Sequence, residues 1–439
     1  MTSSTPLGSI RTHLEQRLSF LPAAAFILTT AYVLLAHLSP AALFPHLAKY
    51  NIMVWLAAAA TLACLPLLFL HPFRFRSPQV YIMLGLTAAV PVSLIANGQA
   101  GGALRGLREF LVSGIVFFLV LAAVDTVRKM QVLAFVVALS AVYLLSQSLY
   151  GWYRNGLESQ YVYRQHIYNS QQDVIGEFPR LQSVGLLEDP NAFAQYLLVA
   201  VGLLTLAWWP EPWHRGLKGN LKGNLKGNVA LGLLLSAYLL YGVAVTHSRG
   251  GLVGLAILVF FLLERRAGKI ISLVVAGGLL RCLFWMGAAG PRAISLADPA
   301  TAGRIEVAQK SIEMSRSSPL FGVGFHMFGA HNSSSTLTAH DSLLLCLAEL
   351  GIFGTLFWLG LIVFSILDLN RILRNDTTRT QQAPGLAGSA NAVRIALFTF
   401  FGTALFLSQT YAMTLFLLLG MAAAARQLFL DKSRVESRH

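Results

Sequence analysis

The stretch "VAVTHSRGGLVGL", from Val243 to Leu255, joins two long apolar segments with only a few polar residues between them. Such a short connection is typical of a hairpin between two helices that cross a membrane. It contains His247 and Arg249, and ionisable groups are energetically unfavourable close to hydrocarbon. The hairpin therefore predicts a membrane fold, and it raises the question of why an arginine stands at its turn.

The composition also indicates an integral membrane protein. Of the 439 residues, 55% are hydrophobic and only 12% are charged, and the mean hydropathy is +0.62. Soluble domains carry roughly a quarter charged residues, so the composition excludes an ordinary soluble protein. In a membrane protein, the first explanation for a formal charge of +14 is an excess of basic residues in the cytoplasmic loops. No nucleic-acid partner is therefore expected.

Hydropathy over windows of about 19 residues divides the chain into twelve apolar segments. We predict an all-α polytopic membrane protein, a single membrane domain over residues 1–439 with about twelve transmembrane helices, the first of them retained rather than cleaved as a signal peptide. The segments are 19–38, 52–70, 80–96, 107–125, 130–149, 191–208, 229–246, 250–264, 270–288, 343–368, 393–409 and 411–428.

The lysines and arginines between these segments predict the orientation. More than half of the 33 basic residues fall in alternate loops, including the basic linker 209–228 with its repeated "LKGN". Such loops lie in the cytoplasm, so both termini are expected there. The loops 150–190 and 289–342 then lie on the opposite, outer side. Within the second, Ile305, Ala308 and Ile312 recur at helical spacing, which predicts an amphipathic helix that starts near Thr301.

Three arginines lie close to predicted helix ends on the outer side, namely Arg180, Arg249 and Arg304. Guanidinium groups form paired hydrogen bonds that suit phosphate oxygens, so a cluster of them predicts a site for a polyanionic ligand. Alternatively, each arginine contacts lipid phosphates or pairs with a nearby acid such as Glu188 or Asp189.

His340 is the candidate proton acceptor, because it stands where the long outer loop turns into the tenth segment. An imidazole can accept a proton at neutral pH. The alternative is a structural role at the start of a helix, with Asp341 or Thr338 as the cap. His326 and His331 are weaker candidates, since they lie in loop sequence rich in glycine and serine.

No metal site is expected from the sequence. The paired acidic motif that holds a divalent ion on a nucleotide sugar is missing, and so are HExxH and glycine-rich phosphate loops. The cysteines Cys64, Cys282 and Cys346 lie in apolar stretches without metal-ligand spacing, so they are expected to be buried small residues.

Four motifs, in this order, resemble the bacterial O-antigen ligase and polymerase superfamily. They are "GLLEDPNAFAQYL" preceded by Arg180, "THSRGGLVGL", "GRIEVAQKSI" followed by "PLFGVGFHMF", and "HDSLLLCLAELGIFG". The resemblance covers roughly Arg180 to Phe353, and the flanking segments agree with it in number and topology. It implies a GT-C-like fold in the bacterial inner membrane, with a long, partly helical periplasmic loop between helices 9 and 10.

The resemblance also implies the activity. O-antigen ligases move a glycan from undecaprenyl diphosphate to the lipid A–core oligosaccharide on the periplasmic side, without a cofactor or a metal. By this resemblance, Arg180, Arg249 and Arg304 match the arginines that hold the diphosphate, and His340 matches the histidine required for transfer. Many relatives have asparagine where this chain has Asp341. Residues that could support the site are Glu188, Asp189, Asn191, His247 and Asp341.

Alternative functions remain open at this point. A polymerase or a protein O-oligosaccharyltransferase of the same superfamily would share the motifs, although the outer loop before the tenth segment favours a ligase. A transporter of an anionic lipid-linked solute would also fit twelve helices and a cationic site. Transporters usually place ionisable residues near the bilayer midplane, whereas the middle regions of these segments are nearly free of charge, with Arg281 as an exception.

Overall fold

The computed structural model describes residues 20–70, 72–168, 173–208, 221–291, 299–331, 339–376 and 385–436. The predicted features that fall on residues 1–19, 209–220, 292–298 and 332–338 lie outside these ranges. Among them are the first part of the basic linker and Thr338, the alternative helix cap beside His340.

The described chain is mostly helical. The α-helices, in order, are α1 Leu21–Leu38, α2 Pro40–Leu43, α3 Ile52–Leu70, α4 Pro78–Ala96, α5 Ala103–Ala123, α6 Val127–Asn155, α7 Pro190–Trp208, α8 Leu221–Val245, α9 Arg249–Trp285, α10 Pro299–Ser317, α11 Phe328–His331, α12 Ser342–Asp376, α13 Leu386–Ala404 and α14 Met413–Glu436. Two strands, β1 Val162–Tyr168 and β2 Val174–Leu181, form an antiparallel hairpin between α6 and α7. Short 3-10 turns lie at Pro45–Tyr50, Pro72–Phe75, Ala100–Gly102, Gly156–Glu158 and Gly185–Leu187.

Eight helical spans in the described ranges are long and apolar enough to cross a membrane, which agrees with a polytopic membrane protein. They are Leu21–Leu43, Ile52–Leu70, Pro78–Ala96, Ala100–Ala123, Val127–Glu158, Arg249–Trp285, Ser342–Asn375 and Met413–Asp431. Pro190–Leu206 and Val229–Val245 are shorter apolar helices. Each of the twelve predicted segments overlaps a helix, but the number of membrane crossings and the GT-C-like classification stay predictions.

Two long helices contain a glycine with non-helical backbone. Gly268 (φ 80°) divides α9 into one limb over 249–267 and another over 269–285, close to the two segments predicted there. Gly351 (φ 63°) divides α12 into a short limb, 342–350, which we call the outer limb after the side of the membrane predicted for it, and a long limb, 352–376. The sequence predicted one continuous helix in α12, so its break is a new finding.

The core is formed where α13 and α14 pack against α5 and α7. In α13 nearly every side chain is buried, including Arg394, and α14 is also largely enclosed. The second limb of α9 lies at the periphery, where Ser272 and Ala276 are its buried residues and Arg281 is exposed. Such an apolar but exposed surface is expected to face lipid.

Several local predictions were wrong. The loop 150–190 contains a β-hairpin that the sequence did not predict, and α8 begins at Leu221, inside the segment predicted as a linker. Cys64 and Cys346 are buried as expected, but Cys282 is exposed on α9. Its helix lies at the edge of the bundle, so an apolar neighbourhood in sequence does not bury it.

The helix predicted near Thr301 is confirmed as α10, although the isoleucines that indicated it are not its buried residues. Ile305 and Ile312 are 44% and 41% exposed. The buried side chains are instead Val307 and Met314, which pack against the outer limb of α12.

Candidate active site

Arg180 is the buried centre of the candidate site. It lies in β2 opposite Tyr163 of β1, and only 3% of its surface is exposed. Its guanidinium donates hydrogen bonds from Nε to the Thr246 carbonyl oxygen (2.9 Å), from Nη1 to Gln165 Oε1 (3.2 Å) and from Nη2 to Asn191 Oδ1 (2.7 Å). Arg180 therefore ties the β-hairpin to the turn between α8 and α9 and to the start of α7.

The ends of two helices complete this network. Asn191 Oδ1 also accepts a hydrogen bond from Ser248 Oγ at 2.8 Å. Ser248 Oγ in turn accepts from the Gly251 N–H at 2.9 Å, which makes it the N-cap of α9. Asp189 caps α7 in the same way, because its Oδ1 accepts from the backbone N–H groups of Asn191 (2.8 Å) and Ala192 (2.9 Å). Ordinary capping residues thus fix the position of Asn191 beside Arg180.

Arg249 and Arg304 both lie within electrostatic range of Arg180. The pKa of Arg180 is lowered to about 10, mainly by burial; Asp189 and Tyr163 raise this pKa, whereas Arg304 and Arg249 lower it. Arg180 remains charged at neutral pH. Arg249 is half-buried and Arg304 is exposed. The fold therefore concentrates positive charge around Arg180, although the three residues come from distant parts of the chain.

His340 shares this electrostatic environment. Burial lowers its pKa below the usual 6.5, the charge of Arg304 lowers the pKa too, and Asp189 raises it. The imidazole is therefore neutral at pH 7 and able to accept a proton. Its backbone is left-handed (φ 47°), and its N–H donates to Ser408 Oγ at 3.0 Å. A non-glycine residue held in this region is uncommon and often marks a functional site.

Asp341 has a structural role next to His340. Its Oδ1 accepts hydrogen bonds from the backbone N–H groups of Leu343 (2.8 Å) and Leu344 (3.0 Å). Asp341 is thus the cap of α12, which is one of the two roles considered from the sequence. By capping α12, the Asp341 carboxylate fixes the start of this helix. It thereby also restricts the position of His340, the residue before Asp341.

The segment between α13 and α14, which we call the 405–412 connection, passes the site. A Cβ placed on Gly250 of the α8–α9 turn would lie only 3.6 Å from Phe406 Cβ. Farther along, Ser408 binds the backbone of His340. The Thr410 hydroxyl donates to the Ser342 carbonyl oxygen at 2.7 Å. The 405–412 connection therefore links the arginine-bearing turn to the start of α12.

The remaining predicted residues lie around this centre. His247 is half-buried with a left-handed backbone (φ 48°), and its Nδ1 lies 3.2 Å from the Ala288 carbonyl oxygen. Its ring meets the edge of Phe178 with the centroids 5.9 Å apart. Glu188 is exposed just before Asp189. His247 therefore connects the α8–α9 turn to Ala288 and to Phe178.

Several residues of the site were not predicted from the sequence. Gln165 and Thr246 bind Arg180, and Ser408 binds His340. The role of Ser248 could have been predicted from the sequence, because a serine directly before a helical segment is typical of an N-cap. Gln165 and Ser408 had none, since their roles arise from contacts with residues far away in the chain.

Within the described ranges, no group of three or more His, Cys, Asp or Glu residues could hold a metal ion. The charged groups around Arg180 and His340 are mainly cationic, and such a set suits the oxygen atoms of an anion.

Comparison with known proteins supplies one match. Residues 231–359 match a family model described as O-antigen ligase, and no curated protein matches the chain. The matched region includes Arg249, Arg304 and His340, whereas Arg180 precedes it. The match supports the O-antigen ligase superfamily, as the sequence motifs had indicated, and this family implies a membrane enzyme that transfers glycans. Together with the apolar helices, it supports a multi-pass membrane protein.

Proposed function

We propose that this member of the O-antigen ligase superfamily transfers O-antigen glycan from undecaprenyl diphosphate to a lipid A–core acceptor at the periplasmic face of the bacterial inner membrane. The observation that carries the proposal is the electrostatic proximity of Arg180, Arg304 and His340, each of which comes from a different motif of the sequence. A cationic centre beside a neutral imidazole suits a reaction in which an anion departs and a hydroxyl loses its proton.

The arginines bind the donor in this mechanism. Arg249 and Arg304, which are more exposed than Arg180, contact the diphosphate oxygens. Arg180 donates three of its five N–H groups to other protein atoms. Its contribution to donor binding is therefore mainly its positive charge. As the bond between the anomeric carbon and the diphosphate breaks, the electron pair leaves with the undecaprenyl diphosphate. The arginines stabilise this growing negative charge more strongly than that of the bound donor, and so lower the barrier.

His340 acts as the general base. It takes the proton of an acceptor sugar hydroxyl while that oxygen forms a bond to the anomeric carbon, on the face opposite the diphosphate. The configuration at this carbon therefore inverts. The lowered pKa of His340 supports this role, because the imidazole is unprotonated before the acceptor arrives.

Reconstitution of the purified chain tests the proposal. A ligase consumes lipid A–core in the presence of lipid-linked glycan, whereas a polymerase extends the glycan on its carrier and a transporter forms no new glycosidic bond. Consumption of repeat units alone, or of a protein acceptor, would contradict the ligase and support a relative of the same superfamily.

His340→Asn tests the base. Asparagine tolerates a left-handed backbone, so the variant should fold normally. We expect turnover to fall by about 10²–10⁴-fold, with donor affinity retained. A variant with wild-type turnover would exclude His340 as the base.

A further inference from the structure

A second polar cluster lies on the outer side, at the junction of α5 and the segment before α11. His326 Nδ1 lies 3.6 Å from Glu109 Oε2, and the other carboxylate oxygen of Glu109 accepts from Arg105 Nε at 2.9 Å. The side chains of His326 and Glu109 are 55% and 42% exposed. We call these three residues, with the aromatic rings beneath them, the His326 cluster.

Aromatic rings form the floor of this cluster. The His326 imidazole stacks on Phe325, with the centroids 4.0 Å apart and the planes 13° apart. Tyr411 lies 5.7 Å from the imidazole and 4.8 Å from Phe325, between centroids. Phe110 meets Phe325 edge to face at 6.1 Å. The imidazole is thus held flat, with one face on the aromatic floor.

The backbone below the cluster is fixed by hydrogen bonds to two helices, α12 and the C-terminal end of α4. The N–H groups of Val323 and Gly324 donate to the carbonyl oxygens at the break of α12, at 2.8 and 3.1 Å. The Phe325 N–H donates to Ser93 Oγ at 3.1 Å, and Asn97 Nδ2 donates to the Gly322 carbonyl oxygen at 2.7 Å. This segment, with a left-handed His326 (φ 58°), is therefore held in place before any ligand binds.

The 405–412 connection relates the cluster to the candidate active site. Along it, Phe406 approaches the turn that carries Arg249, Ser408 binds His340, and Tyr411 packs against His326. Along the connection, the contact with His340 thus lies between the contact with the arginine-bearing turn and the contact with the His326 cluster. An acceptor that attacks from the face opposite the diphosphate has to approach from the side of His340 that is farther from the arginines.

From this arrangement we infer that the His326 cluster binds a sugar ring of the acceptor oligosaccharide, next to the sugar whose hydroxyl reacts. This inference rests on the proposed function. Sugar rings present hydroxyl groups at their edge and C–H groups on their faces. The oxygens of Glu109 each have further lone pairs that accept hydroxyl hydrogens. The exposed face of the His326 imidazole offers a planar surface for the C–H groups.

Direct binding tests this subsite without relying on turnover. Purified full-length protein in nanodiscs is titrated with core oligosaccharide from which the lipid has been removed, and separately with undecaprenyl-diphosphate-linked glycan. We expect Glu109→Gln and His326→Asn to weaken oligosaccharide binding about tenfold, because a charge-assisted or stacking contact is lost. Donor affinity should not change. His326→Asn keeps a residue that tolerates the left-handed backbone.

The chain offers a matched control. His166 and Glu177 form a similar exposed pair on the β-hairpin, with 2.9 Å between Nδ1 and Oε1. Glu177→Gln should leave oligosaccharide binding and the thermal unfolding midpoint unchanged. If Glu109→Gln and His326→Asn bind the oligosaccharide as the wild type does, or if the wild type does not bind it, the subsite is wrong. If the oligosaccharide binds as expected but no glycan is transferred, the subsite stands and the proposed function fails.

Discussion

At the scale of single residues, Arg180 shapes the candidate site as well as charging it. Its three hydrogen bonds join a strand, a turn and a helix that are separated in sequence. Loss of the guanidinium would remove the hydrogen bonds that Gln165 Oε1 and the Thr246 carbonyl oxygen accept from it, whereas Asn191 Oδ1 would keep the one from Ser248. Buried hydrogen bonds to charged groups each contribute about 1.5–3 kcal/mol, so Arg180 is expected to stabilise the outer side of the fold.

Arg180→Lys tests this structural role. Lysine keeps the charge but cannot replace the planar set of N–H groups, so we expect a clear decrease in the thermal unfolding midpoint of the detergent-solubilised protein. Arg164→Lys on β1 is the control, because Arg164 is exposed and its ion pair with Glu158 contributes little. Equal midpoints for the two variants would contradict a structural role of Arg180.

The charge of Arg304 should set the pH dependence of the reaction. Arg304 lowers the pKa of His340, so Arg304→Gln should raise that pKa. A general base works in its neutral form, and its activity is lost as the pH falls through its pKa. The acidic limb of kcat against pH is therefore expected to move to higher pH. Lys310→Gln, on the same helix, removes one positive charge as a control and should leave the limb in place.

The sequence predicted the charged members of the site better than their partners. Arg180, Arg249, Arg304 and His340 were singled out because the predicted alternation of apolar segments puts them on one side of the membrane. The contacts of Gln165 and Ser408 depend on tertiary structure and left no local pattern. His326 was ranked as a weaker candidate, because the glycine- and serine-rich sequence around it gives no sign that Glu109 lies beside it.

At the scale of elements, the broken helix α12 positions His340. Its short outer limb carries the capped start, and the break at Gly351 is filled by the segment before α11. The N–H groups of Ile352 and Phe353 donate to the carbonyl oxygens of Pro319 (2.8 Å) and Leu320 (3.1 Å). A helix interruption inside a membrane protein has to satisfy its backbone groups in this way.

Gly351→Ala should disrupt this arrangement. A Cβ at Gly351 would lie 2.5 Å from the Gly322 nitrogen and from the Leu320 carbonyl oxygen, and the φ of 63° is unfavourable for alanine. We expect a lower thermal unfolding midpoint and loss of transfer activity. Gly278→Ala on α9 is the control, since no atom lies within 4 Å of its added Cβ. Equal midpoints for the two variants would show that the break tolerates a side chain.

Element prediction failed where tertiary contacts decide the outcome. Apolar length located each helix, but the break in α12 depends on a segment about thirty residues away. The β-hairpin is stabilised by Arg180 and its partners rather than by a strong strand pattern. In α10, Val307 and Met314 are buried in place of the isoleucines because α12 covers that face.

At the scale of the whole molecule, the bundle separates a basic side from the side that carries the candidate site. The α8–α9 turn, the β-hairpin and the start of α12 meet on one side. Arg265, Arg266 and Lys269 lie at the break of α9, a full limb away from Arg249. The orientation predicted from the basic loops, which puts the basic side in the cytoplasm, stays a prediction.

Cysteine labelling tests the orientation. In a Cys282→Ser background, which removes the exposed native thiol, Ile175→Cys on β2 should react with a membrane-impermeant maleimide applied from the periplasm. Lys269→Cys at the break of α9 should react only after the inner membrane is permeabilised. Both positions are exposed in the fold. The reverse pattern of labelling would invert the proposed topology and place the site in the cytoplasm.

The 405–412 connection has a consequence for anyone who wishes to redesign this protein. Within a few residues it adjoins the turn that carries Arg249, holds His340 and supports His326. A change of backbone shape there would be transmitted to all three regions together. Selective engineering of acceptor preference is therefore better directed at peripheral positions such as Glu109, where a substitution leaves this shared support intact.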